Sequence, residues 1–181
     1  MPMTTTPFSV LADIAKRSRR CSKGLPAREE AIELWSGIGF LLAGQKYVAP
    51  MGEVVEILHL PRFTQVPGVK HWMCGVANVR GRLLPVLDLG LFFGLPASAV
   101  SNREKRILVI ERGDIFSGLI VDGVQGMQYF AVDRYRRYAD NVPRSLAGFV
   151  HGSYLKNDEE WKVFSTTALS QDEKFLDVSH G

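Results

Sequence analysis

From Gly37 onward the apolar positions fall in short runs broken by glycine, the pattern of strands joined by tight turns. Phe40–Ala43 and Tyr47–Pro50 flank Gly44-Gln45 and predict a hairpin. Glu53–Leu60 is apolar at Val54, Val55, Ile57, Leu58 and Leu60 until Pro61 stops it. Alternation would give that strand one buried face and one face open to a partner. Gly75–Val79 and Arg82–Leu89 read as two strands joined at Arg80-Gly81, where glycine supplies the positive φ of a tight turn. Pro85 has no N–H, so its strand is expected to lie at an edge or leave the sheet there. Leu89–Phe93 predicts one helical turn. Arg106–Glu111 and Ile115–Val121 pair across Gly113-Asp114, and Val124–Val132, Gly148–Leu155 and Trp161–Phe164 supply three more strands. Residues 165–176 predict a closing helix that uses Leu169, Phe175 and Leu176. Many short strands with few helices mean a mainly β barrel or sandwich. No internal repeat is visible along the chain.

The first 36 residues have a different character. Thr6 can cap a helix, Pro7 suits its first turn, and Gly24 can end it, with Phe8, Leu11, Ile14 and Ala15 forming a narrow apolar stripe. Pro26–Trp35 predicts a second short helix with Ile32 and Leu34 inward. Residues 13–28 carry six basic groups against Asp13 alone, whereas residues 35–181 carry 16 basic and 15 acidic groups. The charge excess therefore sits in a helical extension, residues 1–36, ahead of a neutral body at 37–175 and a tail at 176–181. A basic amphipathic helix can be a solvated helix end, or can dock on a membrane surface or a partner.

Composition narrows the classes. At 181 residues with 46% hydrophobic and 23% charged, the chain is an ordinary globular protein able to bury a core. No run of about 18 uncharged apolar residues occurs, so membrane insertion is not expected. The opening Met1–Leu11 has no basic segment before its apolar residues, and with only Cys21 and Cys74 there is no disulfide framework, so a cytoplasmic location is expected. His59, His71 and Cys74 lack the ligand set of a zinc site, and Cys74 reads as a small buried residue. Arg112-Gly113-Asp114 is read as a hairpin tip. Phosphate loops, nucleophile elbows, zinc helices and dinucleotide fingerprints are all missing, so neither an enzyme nor a cofactor is expected. Arg134-Tyr135-Arg136-Arg137-Tyr138 could contact a nucleic-acid backbone and stack bases, or be a solvated loop. A β-barrel nucleic-acid binder using that segment and the basic extension is the alternative reading. The neutral body argues against it.

The residues from Gly75 to Leu89 carry a resemblance. Gly75, Val76, Asn78, Arg80, Gly81, Pro85, Val86, Asp88 and Leu89 match the signature of the CheW-like family of bacterial chemosensory coupling proteins. Val54-Val55-Glu56-Ile57 resembles the family's upstream strand, and Gly118–Val124, with Asp122-Gly123, its downstream segment. The extension and the 37–50 segment are similar to the branch serving type IV pilus chemosensory systems. The resemblance implies two SH3-like five-stranded β-barrels sharing a core, with a closing helix. It also implies a non-enzymatic adaptor, recruited to membrane-associated receptor arrays, that joins a chemoreceptor's cytoplasmic tip to a histidine kinase regulatory domain in control of twitching motility.

On that resemblance Glu56 and Arg80 are expected to form an ion pair near the partner-facing side, with Val55, Asn78 and Gly81 as further partner-binding residues. Buried, losing one member of such a pair would cost about 3–5 kcal/mol; at the surface the pair is worth under about 1 kcal/mol. Asn78 and Gly81 also have a turn to shape, and Asp88 can cap the short helix that follows it. Asp122-Gly123 reads first as a turn after a buried strand.

Overall fold

The computed structural model describes Leu11, residues 14–17 and residues 33–179. The chain divides into two units, Met1–Glu33 and Leu34–Gly181. In the first, Leu11 and residues 14–17 are helical, with Leu11 and Ile14 exposed. The expected cap at Thr6-Pro7, the helix end at Gly24 and most of the second short helix lie outside the described residues. The end of that second helix is corrected: Leu34 and Trp35 belong to a strand, because Trp35 packs on Phe130 and Tyr154.

The described residues of the second unit form eleven strands in two sheets. The strands are β1 (Leu34–Leu42), β2 (Gln45–Pro50), β3 (Glu56–His59), β4 (Met73–Val79), β5 (Arg82–Asp88), β6 (Arg106–Arg112) and β7 (Ile115–Val121). They continue with β8 (Gly123–Ala131), β9 (Tyr135–Arg136), β10 (Val150–Lys156) and β11 (Glu159–Phe164). One sheet runs β3-β6-β7-β5-β4 and the other β8-β1-β2-β11-β10-β9. The two-sheet plan implied by the resemblance is present. The second sheet has one strand more than expected, the two-residue β9, which no apolar run announces.

The two sheets repeat one design. Each contains two hairpins joined by a parallel pair, β5 beside β7 in one and β11 beside β2 in the other. The second sheet borrows β1 and β2 from the start of the chain, so the repeat is permuted and does not show as a tandem sequence pattern. Gly75 in β4 and Gly152 in β10 occupy corresponding places. Their φ values are 147° and 153°, and a Cβ on either would come within 2.3 Å of a neighbouring carbonyl, Thr64 O or Arg136 O. Only glycine lets the next segment approach that closely. At Gly75 the approach is a bridge from Thr64 to Val76, which folds the chain after β3 back onto β4 and closes the sheet.

After β5 comes α1 (Leu89–Phe92), capped by Asp88; after β11 comes α2 (Thr166–Ser170), capped by Ser165. The Asp88 and Ser165 N–H groups donate to Trp72 and Phe149 carbonyls, each at 2.8 Å. The single closing helix expected over 165–176 is two, α2 and α3 (Glu173–Leu176), since Asp172 caps a new start. Leu169 and Phe175 are buried as expected, while Leu176 is exposed. Pro85 falls just before β5 joins β7, where the strand has one neighbour only.

Three apolar clusters fill the unit. Ala77, Leu84, Val86, Ile107, Val109 and Ile120 fill the first barrel. Val48, Phe130, Tyr154, Trp161 and Val163 fill the second. Between them, Phe40, Tyr47 and Phe164 of the second sheet meet Leu87, Leu108 and Leu119 of the first. Burial pushes the Tyr47 hydroxyl up to about 12.

Candidate functional site

The first sheet begins with β3 and ends with β4, and the side chains at its two ends meet. Arg80 occupies the turn between β4 and β5 with φ 52°, and Gly81 follows at φ 82°. Two successive positive φ values make the tight turn that matches strand twist. Asn78 Oδ1 accepts from the Gly81 N–H at 2.9 Å and holds that turn. From it Arg80 Nη2 reaches Glu56 Oε1 on β3, at 2.5 Å. The pair therefore spans the seam of the barrel.

Its burial decides what it is worth. The Arg80 side chain is 78% exposed and Glu56 27%. This is a surface pair worth under about 1 kcal/mol, so the guanidinium is available to a partner at little cost to the fold. Val55 and Ile57 alternate with Glu56 and are both exposed, while Leu58 packs inward. The Val55 N–H donates to Val109 O at 2.9 Å, which fixes the strand that displays them. Glu56, Arg80, Asn78 and Gly81 thus come together at one seam, with Val55 exposed immediately before that edge strand.

The remaining residues have structural work. Asp88 accepts from the Leu91 N–H at 3.0 Å, capping α1 as expected. Asp122 lies at the bend between the buried strand β7 and β8, and does more than turn the chain. Gly123 opens β8, paired with Leu41, and Asp122 is a buried tie that accepts from the Ala43 N–H at 2.7 Å. A buried carboxylate needs a donor, and the β1–β2 turn provides one.

Among the described residues no three His, Cys, Asp or Glu side chains gather as metal ligands. Burial first, and then the charge of Asp88, push the Cys74 thiol up, which makes it a poor nucleophile. No helix of the described residues is long and apolar enough to cross a membrane.

The sequence reading missed the matching edge of the second sheet. On β8, Met127 and Tyr129 are exposed on either side of Gln128, and Gln128 Oε1 accepts from Lys156 Nζ at 3.0 Å. Lys156 ends β10 as Val79 ends β4 just before Arg80, so each barrel ties an edge strand to a hairpin tip. The signal was present: Met127-Gln128-Tyr129 repeats the apolar-polar-apolar order of Val55-Glu56-Ile57.

The CheW-like domain family matches residues 36–174, more than half of the chain. The chain belongs to the CheW-like family. It is 52% identical to Protein PilI of Pseudomonas aeruginosa over 96% of this chain and 97% of that protein. It is 32% identical to the chemotaxis protein CheW of Helicobacter pylori over 82% of this chain and 88% of that one. Among solved structures, the scaffolding protein TtCheW of Thermoanaerobacter tengcongensis matches with TM-score 0.64 at 25% identity, covering 73% of this chain and 89% of that one. The nucleic-acid alternative gains no support from these relatives.

Proposed function

We propose that this CheW-like chain is a non-enzymatic adaptor that couples a chemoreceptor's cytoplasmic tip to the regulatory domain of a CheA-like histidine kinase, in a chemosensory system controlling type IV pilus twitching. The similarity to PilI across nearly the full length of both chains supports the pilus assignment. The relative named a scaffolding protein supports the adaptor role. The observation that carries the reading is the exposed edge of each barrel. One edge displays Val55 and Ile57 beside the Glu56–Arg80 seam, and the other displays Met127 and Tyr129 beside the Gln128–Lys156 tie. An adaptor needs two docking faces, each of roughly 800 Å² for a stable standard contact, and two edge strands with apolar side chains at their outer face supply them. On this reading Arg80 and Glu56 contact a partner, Val55 adds apolar area, and Asn78 with Gly81 hold the turn that presents Arg80.

The test is a binding titration of the full chain against a CheA-like regulatory domain and, separately, a receptor-tip fragment. Micromolar binding of the kinase domain is expected, and its absence would sink the adaptor reading. Arg80→Ala should weaken binding to one partner at least tenfold while leaving the circular-dichroism spectrum unchanged. Unaltered binding of both partners by that variant removes Arg80 from the site.

A further inference from the structure

The exposed stripe of Val55 and Ile57 continues to His59, which ends β3 and is exposed as well, while Leu58 and Leu60 pack on the interior of the first barrel. The stripe runs into a cavity of about 400 Å³ whose polar lining is His59, Arg62, Asn102 and Arg103. Both walls are held. On one, Leu60 and Phe63 pack inward and Thr64 bridges Val76, which leaves Arg62 exposed between them. On the other, Arg106 Nη1 donates to the carbonyls of Arg103, Glu104 and Lys105 at 2.7, 3.0 and 2.9 Å, pinning the loop that carries Asn102 and Arg103. His59 faces Arg106 across the β3–β6 pair, which joins the two walls.

The charge in this cavity is not neutralised from within. Neither Arg62 nor Arg103 has a carboxylate within ion-pair distance among the described residues. Glu104, next to Arg103, is turned onto Ser101, accepting from its N–H at 3.3 Å and its hydroxyl at 3.2 Å. The neighbouring carboxylate Asp88 is taken by Lys105. Arg62 and Arg103 thus differ from a lone exposed cation: two guanidinium forks share one cavity, with a side-chain amide and an imidazole adding N–H donors. That donor set fits oxyanions, which guanidinium groups bind through paired hydrogen bonds. The stripe decides between anions. A free phosphate has nothing to place on Val55 and Ile57, whereas an extended polypeptide places alternate side chains along the whole row.

We propose that this cavity seats acidic side chains of an extended partner segment lying along β3, with apolar side chains against Val55 and Ile57 and Asp or Glu between Arg62 and Arg103. The proposal rests on the adaptor reading and adds the chemistry that the partner at this edge must carry: carboxylates placed just beyond its apolar contact. Arg62 and Arg103 then select the partner, while the Glu56–Arg80 seam lies at the other end of the same strand.

The experiment titrates the full chain, labelled with nitrogen-15, with hexaglutamate, and with inorganic phosphate as the comparison anion. Hexaglutamate should shift the Asn102 side-chain amide and the Arg62 and Arg103 Nε–H signals. Arg62→Glu with Arg103→Glu, both at exposed positions, should abolish the Asn102 shift and leave the rest of the spectrum in place. Arg134→Glu with Arg137→Glu, which reverses exposed arginines outside this lining, should leave the Asn102 shift intact. In titrations with the kinase domain and the receptor-tip fragment, the Arg62 and Arg103 variant should weaken about tenfold or more the same partner that Arg80→Ala weakens, and spare the other. Four results would overturn the proposal: no Asn102 shift, a shift that persists in the Arg62 and Arg103 variant, phosphate acting at lower concentration than hexaglutamate, or unaltered binding of both partners. The hexaglutamate arm involves no partner, so its failure strikes the cavity alone, and failure of the kinase domain to bind the unaltered chain strikes the adaptor reading.

Discussion

The two barrels of the body share strand order, parallel pairing, a close-approach glycine and a capped helix, yet they differ in the charge of their seams and the make-up of their interiors. The first ties its seam with an ion pair, Arg80 to Glu56; the second uses a neutral acceptor, Lys156 to Gln128. The first fills its interior with aliphatic side chains, whereas the second uses Phe130, Tyr154 and Trp161. The contrast separates two kinds of constraint. Closing a small sheet and seating a helix after it depend on backbone geometry, which leaves glycine and a capping side chain as the common residues. What lies outside that geometry is free to differ, and there the two barrels present different side chains.

The comparison breaks if the barrels are independent. Phe164 touches Phe40, Tyr47, Phe93 and Phe149, so it belongs to the core that both sheets share. Phe164→Ala should cost about 3–5 kcal/mol, the range for a fully buried aromatic truncation. Near- and far-ultraviolet signals should still fall in one coincident denaturant transition. Two resolved transitions, with Trp161 and Trp72 reporting different midpoints, would mean that the halves fold separately and that the shared core is a contact between domains.

Gly75 and Gly152 test the equivalence itself. Each has φ in a region that side chains rarely adopt, and each would set a Cβ 2.3 Å from a backbone oxygen. Gly75→Ala and Gly152→Ala should each destabilise by about 2–4 kcal/mol, from backbone strain together with the displaced carbonyl. Equal losses within experimental error support a common closure. If Gly152→Ala is tolerated, the short β9 yields where the Thr64 bridge does not, and the second barrel is closed less firmly than the first.

The same contrast explains what the sequence revealed. The Arg80-Gly81 turn, the Gly113 turn and the Asp88 cap were legible because each rests on local chemistry within a few positions, whereas the Glu56–Arg80 seam, 24 positions apart, was expected only through the family resemblance. The duplication was not, because its halves are permuted and their turns use different residues: Arg80-Gly81 in one and Asn157-Asp158 in the other, all four at positive φ. Likewise the turn at Asp122 was legible but its buried tie was not, because its donor, the Ala43 N–H, lies 79 positions away. Strand β9 is held by two residues' pairing with β10, too little for any periodicity to mark. Leu34 and Trp35 read as helix by local pattern and were claimed by the aromatic cluster of the second barrel.

The smallest effect sharpens the comparison furthest, because it probes the one device that the barrels build differently. Arg80→Ala removes an exposed ion pair and should cost under about 1 kcal/mol at low ionic strength. That loss should shrink toward zero in 1 M salt, where the screening length is about 3 Å. Lys156→Ala removes a charged donor from Gln128, a cation whose Nζ sits 5.4 Å from the Phe130 ring centroid, and the half-buried stem behind them. Packing of that stem is not screened by ions, so its loss should persist at high salt. Paired urea titrations at two salt concentrations measure both. A salt-independent loss at Arg80 would show that its methylene stem, not its charge, holds the seam; the guanidinium would then be even freer to serve a partner. A loss at Lys156 that vanishes in salt would make the two seams electrostatically alike and leave only their outer side chains to distinguish the two edges.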